Sequence, residues 1–103
     1  MKLSTQENQI LKLAVYEEEL NKKLKFAATA EDASNMAVQE LQRAVEDPTY
    51  LDKIWNWLGK VKDRLGNEWN SFLDQLKSKG GQILQQLGVT EEQLASLGAP
   101  TTY

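Results

Sequence analysis

The chain has 103 residues, of which 41% are hydrophobic and 26% are charged, and its 12 Lys and Arg against 15 Asp and Glu give a net charge of -3. This length supports one domain at most, and the acidic balance disfavours nucleic acid as a partner. Cysteine and histidine are absent, which excludes disulfides, thiolate nucleophiles, imidazole bases and nearly all transition-metal sites. We therefore expect a non-enzymatic protein with no catalytic residues, no metal and no cofactor.

A capping box near the N-terminus predicts where the first helix begins. Ser4 is followed three residues later by Glu7, and the two side chains can satisfy free backbone N–H groups in a first helical turn. From there to about residue 45, apolar residues follow a seven-residue rhythm typical of a coiled coil. The small and polar run AATAEDASN, around Thr29, permits either one continuous helix over about 5–45 or an interruption near residues 29–33. The members of the apolar rhythm are Ile10, Leu13, Leu20, Leu24, Ala27, Val38, Leu41 and Val45.

The dipeptide Asp47-Pro48 marks the start of a second helix. Asp is a good N-cap, and Pro is tolerated in the first helical turn because its missing N–H would have no partner there. We predict that this helix runs over about 48–78. Gly80 and Gly81 follow, and two adjacent glycines favour the end of a helix or a kink.

An eleven-residue repeat covers this second helix and continues beyond it. From Leu51 to Leu94 the blocks read LDKIWNWLGKV, KDRLGNEWNSF, LDQLKSKGGQI and LQQLGVTEEQL. Since three helical turns take about 11 residues, the repeat aligns its apolar positions in a nearly straight stripe. The stripe predicts one continuous apolar face from Leu51 to Leu76, which must lie against another surface.

The C-terminal part predicts one or two short helices, over about 81–87 and 91–97. Thr90 and Gln93 have the spacing of a second capping box, which specifies the start of the last helix. No segment alternates apolar and polar residues with period two, so we expect no strands. The predicted fold is all-α, an antiparallel hairpin of two long helices with short C-terminal helices, in a single domain over 1–103.

The sequence contains no segment suited to crossing a membrane. No stretch approaches the roughly 18 apolar residues that a span requires, and the start, MKLSTQENQILKL, lacks the apolar core of a signal peptide. We expect a protein that is not secreted and that resides in the cytoplasm, or within a virion or another large assembly.

The apolar face of the second predicted helix is the candidate interface. The favoured hypothesis is a structural or adaptor protein that self-associates, or docks on a larger assembly, through this face. Trp57 lies on the shoulder of the stripe, which makes it the best candidate for a contact between molecules. The candidate interface residues are Trp55, Trp57, Leu58, Lys62, Leu65, Trp69, Phe72 and Tyr103.

The eleven-residue repeat also resembles the amphipathic repeats of exchangeable apolipoproteins and synucleins. The resemblance implies a helix that lies in a lipid interface, and tryptophan is common at that depth. Those families place Lys at the polar boundary, whereas Lys53, Lys60 and Arg64 sit deeper on the polar face here. The alternative hypothesis is therefore a peripheral membrane protein that binds through the Trp-rich helix 51–76.

Overall fold

The computed structural model describes residues 5–96, and every regular element within that range is helical. This confirms the predicted all-α fold. Short 3-10 segments, Pro48–Tyr50 and Gly66–Glu68, join the second helix to the third and the third to the fourth. The α-helices are α1 (Thr5–Leu24), α2 (Ala30–Glu46), α3 (Leu51–Leu65), α4 (Trp69–Leu87) and α5 (Glu91–Ala95).

The first long helix predicted over 5–45 is divided into α1 and α2. The backbone N–H of Phe26 bonds to the carbonyl of Lys23, which closes a turn directly after α1. Thr29 then adopts an extended conformation, and its hydroxyl accepts from the N–H of Asp32 at 3.1 Å. A threonine that caps a new helix cannot also continue an old one. The interruption that the sequence left open near 29–33 therefore occurs, and it lies slightly earlier, between α1 and Ala30.

The second long helix was predicted as one element over about 48–78, and the structure instead divides it into α3 and the first part of α4. α3 ends at Gly66, where φ is +56°, a conformation that residues with a Cβ rarely adopt. The kink predicted at the glycine pair 80 and 81 is confirmed, because Gly80 has non-helical dihedral angles (φ -122°, ψ 19°) within α4. The segment predicted as a short helix over 81–87 is the part of α4 that follows this kink.

α1 and α3 run side by side in the same direction. Lys53 contacts Glu17, Lys60 contacts Asn21, and the Arg64 guanidinium donates to the backbone carbonyl of Lys25. Residue numbers therefore rise together along the two helices. α2 runs the opposite way to α1, since Lys12 pairs with Asp47 and Lys23 pairs with Glu40. α3 thus lies against both α1 and α2, and side chains join α1 to α2 at these ion pairs.

α2 and α4 form the other parallel pair. Ser34 accepts from the Lys79 ammonium at 3.0 Å, and one turn later Val38 faces Gly80. A Cβ added at Gly80 would lie only 3.2 Å from the Val38 Cγ2 atom. Glycine at this position therefore lets α4 pass close to α2.

The core lies between these helices and takes most of the predicted stripe. α2 supplies a row of alanines together with Leu41, and these small side chains allow close helix approach. Leu94 of α5 is also buried, and Thr90 and Gln93 form the predicted capping box at the start of that helix. The stripe residues that are fully buried are Ile54, Trp57, Leu58, Val61, Phe72 and Leu76.

Candidate protein-interaction surface

The stripe that was predicted to meet a partner is covered by the chain itself. Leu58 and Phe72 are 0% exposed, Leu65 is 6% exposed and Trp69 is 7% exposed. Trp55 and Lys62 are half-buried at the edge of the core, and Tyr103 lies outside the described residues. The predicted hairpin places the first helix against the second, and in the structure this packing leaves almost none of the stripe exposed. The structure therefore supplies no free surface at most of the candidate interface.

Trp57 is the largest correction among these residues. We expected its side chain to reach another molecule, but it is 1% exposed. Its indole Nε1 is buried, and no acceptor from the described part of the chain bonds to it. An unpaired buried donor costs about 1–3 kcal/mol, whereas burying a tryptophan removes about 150–250 Å² from water and contributes about 4–6 kcal/mol. Apolar burial outweighs the lost hydrogen bond, so the ring stays inside.

Three of the five large apolar side chains that are exposed in the described part of the chain lie together on the first half of α1. Ile10 is 61% exposed, Leu11 is 55% exposed and Val15 is 50% exposed. Ala14 is also exposed and lies among them, because residues three or four apart are neighbours on a helix. Ile10, Leu11, Ala14 and Val15 therefore form one apolar surface, which we call the α1 patch.

A buried carboxylate holds α1 against α2. Glu40 is 1% exposed, and its two oxygens accept from the Tyr16 hydroxyl at 2.6 Å and from the Lys23 ammonium at 2.7 Å. A carboxylate in such a place requires partners of this kind, since an unpaired buried charge is strongly destabilising. Burial and the hydrogen bond to Glu40 hold the pKa of Tyr16 far above its ordinary value. The inner face of α1 is therefore fixed, and the α1 patch points the other way.

Ion pairs fix the two flanks of α1 as well. Lys53 of α3 contacts Glu17 at 2.9 Å and lowers the pKa of that carboxyl. On the α2 side, Lys12 pairs with Asp47, which lowers the pKa of Asp47 to about 2 and raises that of Lys12. Each exposed pair contributes little alone, but the pairs lie on opposite sides of the same helix. They orient α1 so that the patch lies on its outer surface.

A shallow groove of about 410 Å³ lies beside the patch. Leu11 and Val15 form one wall, and Arg43 and Tyr50 form the other. The Tyr50 ring lies 4.3 Å from the Tyr16 ring, measured between centroids, and the Lys12 ammonium lies 4.8 Å from the Tyr50 centroid. Apolar and cationic groups thus stand next to each other here. Glu19 also lines the groove. A lining of mixed apolar and charged side chains is typical of a surface that contacts another polypeptide.

The sequence does contain a signal for the patch. The run from Ile10 to Val15 reads ILKLAV, in which Lys12 is the only polar residue. A helix that buries one face needs only one apolar stripe, so apolar residues on all sides indicate a second contact. The seven-residue rhythm assigned Ile10 to the core and did not consider Leu11 or Val15, which is why the prediction missed this surface.

Three further observations concern metal binding, membrane spanning and similarity to known proteins. Among residues 5–96, no group of three or more His, Cys, Asp or Glu side chains is placed to hold a metal ion. Within the same range, no helix combines the length and the apolar character that crossing a bilayer requires. In comparisons with known proteins, the chain matches no family model, no curated protein and no solved structure.

Proposed function

We propose that this chain is a non-enzymatic helical interaction module, which serves as a structural or adaptor component by binding another polypeptide through the α1 patch. The observation that carries the proposal is the clustering of Ile10, Leu11 and Val15, each at least half exposed, on one helix face. Single exposed apolar residues are ordinary, but a cluster on a rigid element is typical of an interaction site. The proposal keeps the function expected from the sequence and moves its surface from the second predicted helix to α1.

The surroundings of the patch resemble the rim of a protein interface. Glu18 and Lys22 follow it on the same helix, where they form an exposed i,i+4 ion pair with atoms 3.7 Å apart. Interfaces commonly combine an apolar centre with a charged, solvated rim, which excludes wrong partners and fixes orientation. An apolar centre of four residues with such a rim is small, so we expect an affinity in the weak or transient class.

The charges around the patch favour a protein partner over an anionic membrane. Glu7, Glu18 and Glu19 are exposed together with Lys12 and Lys22, so the surroundings are of mixed sign and lack the basic cluster that acidic lipid headgroups attract. The tryptophans that motivated the membrane alternative are unsuited to lipid contact in this fold, because Trp57 and Trp69 would first have to leave the core. Membrane binding through residues 51–76 therefore requires the bundle to open, whereas protein binding through α1 does not.

Photo-crosslinking tests the proposal. A benzophenone amino acid at position 11, in cells that express the chain, is expected to give a protein adduct of constant mass. The same group at position 70, an exposed Asn on α4, is the matched control and is expected to give none. Adducts to lipid alone, or equal adducts at both positions, would contradict a protein-binding surface on α1. Mass spectrometry of the adduct distinguishes these results.

A further inference from the structure

We propose that the partner of the α1 patch is a second copy of this chain, bound through an antiparallel contact between the two α1 helices. The inference rests on the proposed function, since it names the occupant of the same surface. The observation behind the inference is the order of charged residues along the outer side of α1. This order is a separate observation from the side-chain exposure that identified the α1 patch.

One straight line of residues runs along the outside of α1. Its members are separated by four, four, three and four positions, which is the spacing that keeps side chains on one helix face. All of them are exposed. The line begins with an acidic residue, continues through the apolar patch and ends with a basic residue. In order, it consists of Glu7, Leu11, Val15, Glu18 and Lys22.

This order of charges selects the direction of a contact between two copies. If the helices were parallel, Glu7 would face Glu7 and Lys22 would face Lys22, and both contacts would repel. In an antiparallel contact, Glu7 of each copy faces Lys22 of the other, and the two-fold axis repeats the pair. Complementary charges of this kind fix register and suppress the wrong orientation. The charged ends of the line are therefore complementary only when one copy is reversed.

The register follows from the same pairing. If residue 7 faces residue 22, then residue 11 faces residue 18 and Ala14 faces Val15 at the crossing point. Ala14 is small, so the helix axes can approach to the usual separation of about 8–10 Å. Glu18 is already turned toward Lys22 of its own chain, which leaves its alkyl stem to cover Leu11 of the second copy. Lys22 then lies between two carboxylates, one from each chain.

Charge reversal tests this arrangement. Glu7→Lys alone, or Lys22→Glu alone, places like charges in both symmetric contacts. We expect each variant to weaken the dimer by about tenfold at low salt. An equimolar mixture of the two variants restores both pairs, because one chain carries only basic and the other only acidic residues at these positions. We expect the mixture to form a heterodimer at about the strength of the original dimer, measured by sedimentation equilibrium and native mass spectrometry.

Two substitutions of exposed apolar residues form a matched pair, one on the line and one off it. Leu11→Asp is expected to abolish the dimer, whereas Phe26→Asp is expected to leave it unchanged. Phe26 is 60% exposed, close to the 55% of Leu11, but it lies in the turn after α1 and off the line. Circular dichroism of every variant checks that helicity is retained. An equal effect of the two substitutions would overturn the assignment of the contact to the line.

The outcomes separate this inference from the proposed function. The proposal that the partner is a second copy is overturned if the chain stays monomeric up to high micromolar concentration. It is also overturned if the mixture of the charge variants fails to restore dimers. If position 11 still crosslinks to a different protein in either case, the proposed function stands with another partner. If position 11 crosslinks to no protein at all, both the inference and the proposed function fail.

Discussion

Two apolar regions of this molecule differ in how completely the rest of the chain buries them. The stripe on α3 and the start of α4 is the most regular amphipathic pattern in the sequence, and the chain covers it almost completely. The first half of α1 has a poorer pattern, with apolar residues on every side, and it leaves Ile10, Leu11 and Val15 exposed. The comparison teaches that a clean stripe indicates a core. Apolar residues beyond what one stripe requires indicate a surface for another molecule.

The physical reason is the number of faces that a helix must bury. A helix in a small bundle packs against the core through one side, so selection for stability needs only that side to be apolar. Leu20 and Leu11 illustrate the difference within α1, since the first is 1% exposed and the second is 55% exposed. Stability explains Leu20, whereas Leu11 requires another explanation.

Trp57→Ala is expected to cause the largest loss of stability. The ring is fully buried, and truncating a buried aromatic residue lowers the free energy of unfolding by about 3–5 kcal/mol. Trp55 is the matched control, because it is only half-buried on the same helix and should cost less as alanine. Urea unfolding followed by circular dichroism measures both. If Trp57→Ala kept its stability and lost self-association, Trp57 would be an interface residue and the comparison would fail.

Much of the fold was predictable from the sequence, and its divisions were less so. The apolar rhythm indicated an all-α chain, and the Thr90 and Gln93 spacing located the start of α5 correctly. The two internal breaks depend on competition between local and tertiary contacts. The adjacent glycines 80 and 81 indicated the kink that occurs at Gly80, where Val38 packs closely. The break at Gly66, which has a positive φ, was not indicated, because a single glycine stands there within a regular apolar stripe.

The candidate site was harder to predict than the fold. The stripe and the α1 patch are both apolar, and deciding which is free requires knowing which helices pack together. The parallel pairing of α1 with α3 depends on contacts between residues far apart in sequence, such as Glu17 with Lys53. Burial of Glu40 likewise requires Tyr16 and Lys23 to converge from the preceding helix. Neither relation follows from spacing within one helix.

Tyr16→Phe is expected to have the second largest effect. The substitution removes the hydroxyl that donates to Glu40, and the buried carboxylate then loses one partner while it keeps Lys23. Leaving a buried acceptor short of a donor costs about 1–3 kcal/mol. We expect faster amide hydrogen exchange in α1 than in α4, because α1 is the helix that the bond secures. Unchanged stability would mean that the ion pair alone holds α1 on α2.

The two central glycines of α4 provide a smaller and more specific test. Gly81→Ala is expected to stabilise the protein by up to about 1 kcal/mol, because a Cβ there meets nothing within 4 Å and alanine favours a helix. Gly80→Ala is expected to gain less or to destabilise, because its Cβ would press on Val38 at 3.2 Å. Thermal unfolding of the pair measures the difference. Equal gains at both sites would show that α4 does not pass α2 closely at Gly80.

Leu11→Ala is expected to have the smallest effect on stability and so gives the sharpest test of the comparison. The side chain is more than half exposed, and surface substitutions usually change the free energy of unfolding by less than about 0.5 kcal/mol. The same substitution at Leu20, nine residues later on the buried side of α1, should cost about 2–5 kcal/mol.

Unfolding must be compared well below the concentration at which the chain self-associates, since a dimer that dissociates on unfolding adds apparent stability. At higher concentration the stability of the original chain should rise above that of Leu11→Ala, because only the original chain keeps the full apolar contact. A Leu11→Ala deficit that does not change with concentration would place Leu11 in the core of the monomer and remove the distinction between the two faces of α1.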